Sequence, residues 1–240
     1  MIWKYLVMNK NLWIYWDTGW DNTKKIPEEC LKAWKHYNPD WNIHELTDEN
    51  LKDYDLDYVY RPKSKPAWSD ILRITLLHRY GGLWVDATVL CNKPLNEWLE
   101  PYIEKRFFAF RDPSPANKVC SWFLYAEHNN YIVKRWKEAV DKYWENKTHP
   151  HIYLWFHGLF DKLYNTDALF KSEFDIIKEY KAPWTPKTYD GSNPHVFAPY
   201  DSNHQRVTAE RVKDFTAPVY KLSHGNNTLA SNQQIKSLFI

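Results

Sequence analysis

Trp68-Ser69-Asp70-Ile71-Leu72-Arg73-Ile74-Thr75-Leu76-Leu77-His78-Arg79-Tyr80-Gly81-Gly82-Leu83-Trp84-Val85-Asp86-Ala87-Thr88 is the stretch that decides the fold class of this chain. Ile71, Leu72, Leu76 and Leu77 recur at helical spacing with no Gly or Pro among them, which predicts a helix from Ala67 to Tyr80. Gly81-Gly82 ends it, because residues without a Cβ take the left-handed turn that closes a helix. Leu83-Trp84-Val85 is then too short and too apolar to lie anywhere but in a sheet, and it carries Asp86 to the strand's carboxyl end. Open α/β sheets bind ligands at that edge. On the helix, Asp70 and Arg73 are three apart with Leu77 four further on, so both charges share a face with apolar neighbours. Exposed, such a pair would contribute only ~0 to 1 kcal/mol; beside a strand that ends on an acid, it joins a candidate site.

Outward from this block the elements alternate. A strand at Leu12–Tyr15 precedes a helix over Pro27–His36, with the proline suited to a first turn. A strand at Trp41–Leu46 and a short helix from Thr47 follow, the latter with part of a capping signal in Thr47-Asp48-Glu49-Asn50. Beyond Asp86, Arg106–Phe110 and Ser121–Tyr125 read as strands. Tyr131–Trp144 reads as an amphipathic helix with Trp136, Val140 and Tyr143 as its core stripe, and Ile152–Gly158 opens another helix. Alternation of this kind predicts an α/β fold, a mostly parallel central sheet flanked by helices. With 240 residues and only 6 glycines, the whole of 1–240 reads as one domain. Segment 182–206, rich in Pro, Asn, Ser and Gly, is a loop long enough to be functional or disordered.

The net charge of +2 and the lack of any long basic run exclude nucleic acid as the expected partner. Cys30, Cys91 and Cys120 are widely spaced with no metal-binding pattern, so reduced, buried thiols are expected. The opening Met1–Met8, interrupted by Lys4, is too short and too polar for a signal peptide or a transmembrane segment. A soluble, cytoplasmic protein is expected, with membrane contact limited to peripheral association.

Ser69-Asp70-Ile71-Leu72-Arg73, Tyr80-Gly81-Gly82 and Asp86-Ala87-Thr88, at this spacing, resemble the glycosyltransferases with a DXD-type sugar-binding region, and within them the capsular polysaccharide synthesis proteins. Leu12–Trp20, Trp34–Trp41 and Ser121–Trp144 extend the likeness over most of the first 165 residues. The resemblance implies a GT-A type, Rossmann-like fold and transfer of a sugar from a nucleotide-diphosphate donor, a UDP-sugar or GDP-sugar, to a glycan or glycan-bearing acceptor in polysaccharide biosynthesis. It implies catalytic roles for Asp70, Arg73 and Asp86, a metal site of Asp86, Thr88 and His224 for Mn2+ or Mg2+, and phosphate contacts from Lys221 and His224. Where many relatives carry a second aspartate this chain has Thr88, a neutral hydroxyl and a weaker ligand for a hard cation, so the implied metal is weakly held. The capsular subgroup is similar to this chain in having Asp-Ala-Thr there. In a transferase of this kind, segment 182–206 is expected over the nucleotide or lining the acceptor groove.

Glycosyl transfer develops positive charge at the anomeric carbon and negative charge on the departing phosphate, so carboxylates near the sugar and cations near the phosphates suit it. Together with Asp86, Tyr15 and Trp16, which follow the first strand, are the nucleotide-binding candidates; a base stacked on either ring would contribute on the order of 1–3 kcal/mol. With 14 Trp, 17 Tyr and 11 Phe most rings must be core, and strand alternation puts Tyr15 on the face opposite Trp16. Asp17 reads as a ribose contact or a turn cap, and His157 as a core histidine or an acceptor contact. The DXD-region enzymes are mostly retaining, which implies front-face transfer; inversion through an Asp or Glu base is the competing route. A lectin-like carbohydrate-binding protein without turnover is the alternative that the many Trp residues and Thr88 permit.

Overall fold

The computed structural model describes residues 8–21, 25–56, 60–114, 117–180 and 218–221. In chain order the elements are β1 (Asn11–Tyr15), α1 (Lys25–Tyr37), β2 (Asn42–Leu46), a 3-10 turn (Leu51–Tyr54), α2 (Lys65–Tyr80), β3 (Gly82–Asp86), β4 (Val89–Cys91), α3 (Leu95–Trp98), a second 3-10 turn (Glu100–Tyr102), β5 (Phe107–Ser114), β6 (Asn117–Ala126), α4 (Tyr131–Trp144), α5 (Trp155–Thr166), α6 (Ala168–Asp175) and β7 (Val219–Lys221). The expected α/β architecture is present. The expected loop at 182–206 lies outside the described residues.

The central sheet has the order β2-β1-β3-β6-β5. Its first half is parallel, with α1 and α2 as the crossovers that parallel neighbours require. β6 and β5 continue it antiparallel on the far side of β3. A separate two-stranded sheet pairs β4 with β7, placing Lys221 opposite Val89.

Strand alternation divides the core. Leu12, Ile14, Leu83 and Val85 point to one face and pack against Trp34 of α1 and against β4 and β7. Trp13 and Trp84 point to the other, where α2, α4, α5 and α6 cover the sheet. α2 is buried nearly all round, from Ala67 and Trp68 through Ile71, Leu72, Arg73, Ile74, Thr75, Leu76 and Leu77, as expected of a helix in the middle of a layer. Ser64 caps its start by accepting from the Ala67 N–H at 3.4 Å. At its end Gly81 (φ +67°) and Gly82 (φ +96°) turn the chain into β3, and a Cβ on Gly82 would meet the Asn11 carbonyl oxygen at 2.4 Å. Only glycine lets β3 approach β1 this closely.

Two local expectations are corrected. The helix carrying Pro27 starts at Lys25, so the proline is its third residue, still among positions whose N–H has no helical partner. Thr47 does not start a helix. Asn50 folds back, its side chain accepting from the Thr47 N–H at 2.8 Å and donating to the Glu45 carbonyl at 2.9 Å, and the turn begins only at Leu51.

Candidate active site

The parallel register sets Tyr15 beside Asp86 at the carboxyl ends of β1 and β3. Asp86 lies two residues beyond Trp84 and so faces the α2 side of the sheet, where Arg73 is buried with its side chain 5% exposed. The guanidinium bridges the two acids: Nη1 donates to Asp70 Oδ1, and Nη2 donates to Asp86 Oδ1 at 2.8 Å and to Ser69 Oγ at 3.3 Å. It also lies 5.4 Å from the Trp84 ring centroid and 5.7 Å from that of Phe156, so aromatic faces enclose the charge. The Trp84 indole N–H donates to Asp86 Oδ1 at 3.0 Å. On the other carboxylate oxygen, Lys221 Nζ donates to Asp86 Oδ2 at 2.9 Å, and the same ammonium donates to Thr88 Oγ1 at 2.7 Å.

These groups line a cavity of about 680 Å³. Tyr15, Trp16 and Asp17 enter it from the end of β1, Lys65, Ser69 and Asp70 from α2, and Tyr153, Leu154 and His157 from the start of α5. Tyr15 and Trp16 pack into opposite core layers, as alternation requires, yet both reach the cavity because the strand ends there. The Tyr15 hydroxyl is tied to Asp48 Oδ1 at 2.5 Å, and its pKa is raised by burial and by that carboxylate. Asp17 is ion-paired with Lys65.

The environment drives the two central acids apart. Burial pushes Asp70 up to about 7, against the pull of Arg73, with the Asp86 charge adding to the rise. Burial acts on Asp86 in the same sense, but Lys221 and Arg73 together outweigh it and hold the carboxyl well below its ordinary range. His157 is pushed down to about 4 by burial and then by the Arg73 charge, so it is a neutral imidazole at pH 7. Its buried Nδ1 has no hydrogen-bond partner among the described residues.

Five of the residues expected at the site, Asp70, Arg73, Asp86, Thr88 and Lys221, form one connected hydrogen-bonded cluster, and Tyr15 and Trp16 share its cavity. His224 lies outside the described residues. Of the implied metal site, only Asp86 and Thr88 are among the described residues. Among the described residues no group of three or more His, Cys, Asp and Glu is placed to hold a metal ion. A divalent cation on Asp86 Oδ2 would share that oxygen with the Lys221 ammonium, 2.9 Å from it, and at a separation of roughly 4 Å the two would repel by on the order of 8 kcal/mol at an effective dielectric constant of about 20. One carboxylate already holding two cations, beside a hydroxyl holding one of them, does not fit that ion.

The sequence reading missed Trp84, Lys65, Ser69, Tyr153 and Leu154 as site residues. Trp84 had a signal, since residues i and i+2 of a strand share a face; Lys65 and the Tyr153-Leu154 pair had none within their own segments.

The sequence matches the family model described as capsular polysaccharide synthesis protein over residues 4–239. The chain belongs to that family. As a capsular polysaccharide synthesis family member it is also similar to curated proteins of fungi. It is 26% identical over 165 residues to O-glycosyltransferase braB of Annulohypoxylon truncatum, covering 58% of this chain and 39% of that protein. It is 23% identical over 163 residues to glycosyltransferase afumC of Aspergillus fumigatus, covering 58% and 41%. Against the initiation-specific alpha-1,6-mannosyltransferase of Candida albicans it is 29% identical over 114 residues, covering 40% and 29%. The family member thus spans about two-fifths or less of the length of these relatives. Among solved structures, PaToxG Glycosyltransferase is similar at a TM-score of 0.46 and 18% identity, covering 70% of this chain and 72% of that one.

Proposed function

We propose that this chain is a glycosyltransferase that moves a sugar from a nucleotide-diphosphate donor to a glycan or glycan-bearing acceptor. The observation that carries the reading is the convergence of Asp70, Arg73, Asp86 and Lys221 on one cavity at the carboxyl edge of a parallel β1–β3 pair. The names of the matched relatives, all glycosyl transferring proteins, support it.

Each residue then has a task set by its surroundings. Trp16, at the cavity wall, offers a ring face to the nucleobase. Lys221, and Lys65 at the start of α2, supply positive charge toward the two phosphates. Asp86, ionised and immobilised by three donors, accepts hydrogen bonds from sugar hydroxyls and fixes the ring's orientation. Asp70, with its pKa near neutrality, can give as well as accept a hydrogen bond. Arg73 orients both acids.

Retention by front-face transfer fits this wall better than inversion. Among the described residues the carboxylates lining the cavity are Asp17, Asp70 and Asp86, and each is ion-paired, which leaves none placed as nucleophile or base. The acceptor hydroxyl then gives its proton to the departing phosphate oxygen as the new bond forms on the same face.

Calorimetry with a panel of nucleoside diphosphates and free sugars tests the class, and NMR of the product anomer tests the stereochemistry. Selective binding of one nucleoside diphosphate is expected; binding of sugars with indifference to every nucleotide would refute the reading in favour of a lectin.

A further inference from the structure

The Asp86-Ala87-Thr88 turn already holds a cation, and that cation belongs to the protein. Lys221 Nζ sits between Asp86 Oδ2 at 2.9 Å and Thr88 Oγ1 at 2.7 Å, bonded to two of the three side chains, Asp86, Thr88 and His224, that the family resemblance assigns to a divalent ion. Its place is set by backbone pairing, since Lys221 opposes Val89, the residue directly after Thr88, in the β4–β7 ladder. β4 is in turn held from α1, where the Trp34 indole N–H donates to the Val89 carbonyl at 2.7 Å. The other oxygen of Asp86 is taken by Arg73 and Trp84.

The charge count agrees with this arrangement. With Thr88 neutral, the acids Asp70 and Asp86 carry no more charge than Arg73 and Lys221 offset, whereas a carboxylate at position 88 would add a negative charge with no cation of its own among these residues. An ammonium has three donors. Two are spent on Asp86 and Thr88, and the third has no partner among the described residues, at the wall of the cavity that Lys221 lines.

We infer that Lys221 is a built-in replacement for the divalent cation, so that this site binds the phosphates of a nucleoside diphosphate through a fixed ammonium and needs no metal to do so. The inference rests on the proposed function and deepens it. A point charge on a β-strand contributes to phosphate binding without the six oxygen ligands and near-octahedral geometry that Mg2+ demands.

The test uses the full chain in two arms. In the first, calorimetry measures UDP and GDP in chelator and in excess Mn2+, for wild type, Lys221→Met and Lys221→Arg. For the bound nucleotide, wild type is expected to differ by less than about threefold between the buffers, and Lys221→Met to lose about 10- to 100-fold in chelator, the worth of a charge-assisted hydrogen bond. Lys221→Arg should keep chelator-resistant binding. In the second arm, Mn2+ alone is titrated by its electron paramagnetic resonance signal: wild type should leave the ion free, and a Thr88→Asp/Lys221→Met double variant should bind it. Wild-type nucleotide binding that falls more than tenfold in chelator overturns the inference while leaving the transferase reading in place. Tight Mn2+ binding by the wild type, or Lys221→Met binding as wild type does in chelator, has the same effect. Failure of both nucleotides in both buffers overturns the two readings together. The wild-type measurements decide even if a variant does not fold.

Discussion

Replacing Arg73 by Met should be among the most damaging single changes in this chain, and its size follows from what the guanidinium touches. The side chain is 5% exposed, lies between Asp70 and Asp86, which are 13% and 23% exposed, and is enclosed by Trp84 and Phe156. Removing one member of a buried ion pair leaves uncompensated charge and costs about 3–5 kcal/mol. For a domain of this length that is a fall in melting temperature of about 6–20 °C. Adding Asp70→Asn to Arg73→Met removes one stranded carboxylate, so the double variant should recover part of the loss, with a coupling of about 0.5–3 kcal/mol. Thermal and urea unfolding followed by tryptophan fluorescence reads both numbers. Lys171→Met supplies the contrast: Lys171 and its ion-pair partner Asp175 are 49% and 37% exposed, and the melting temperature should stay within about 1 °C of wild type. If Arg73→Met also stays within about 2 °C, the guanidinium is solvated and dispensable, and the argument for an enclosed, charge-balanced site fails.

Further outcomes are expected. Gly82→Ala should cost about 2–5 kcal/mol in urea unfolding, from a Cβ forced onto the Asn11 carbonyl at 2.4 Å and from a φ of +96°; a loss under about 1 kcal/mol would refute the close approach. Asp70, raised to about 7, contributes stability that is complete below pH ~4 and lost as pH rises through 7, whereas His157, lowered to about 4, contributes stability that is complete above pH ~6.5 and lost as pH falls through 4. Asp70→Asn should therefore tilt the stability profile toward high pH and His157→Asn toward low pH, each by at most about 1.4 kcal/mol per pH unit; parallel profiles across pH 4.5–7 would refute both assignments. Tyr153→Ala, at a ring 81% exposed on the cavity rim, should leave the melting temperature unchanged while raising the acceptor KM, and an unchanged KM would remove that rim from acceptor binding. Cys30 and Cys91 should resist alkylation in the folded protein, because burial raises both thiols, that of Cys91 to about 12.

The core of the site was legible because it is local. Asp70 and Arg73 share a helical face by spacing, and a strand of known start must end on Asp86, so two short periodicities were enough to bring three charges together. Pairing direction was not legible in the same way: the alternation of elements foretells parallel neighbours, but nothing within Phe107–Ala126 says that β5 and β6 run antiparallel to each other and to β3. β4 was hidden by its three-residue length directly after the Asp86 turn. Spacing along the chain cannot reveal which distant side chain comes to rest on Thr88, and Lys221 arrives from 133 residues away. The Asn50 turn shows the same limit at short range, since Thr47 and Asn50 are both plausible capping residues until the backbone decides which one accepts.

Lys221 also sets a schedule. The bond it makes to Asp86 spans 135 residues, so during synthesis the carboxylate emerges long before the ammonium that pairs with it. At ribosomal rates of about 5–20 residues per second the interval is roughly 7–27 seconds, in which the nascent polypeptide can form β1, β3 and α2 but lacks β7, which seats the amine. Maturation of the binding pocket is thereby coupled to completion of the β4–β7 ladder, and a product truncated ahead of Val219 would carry the acids without this amine.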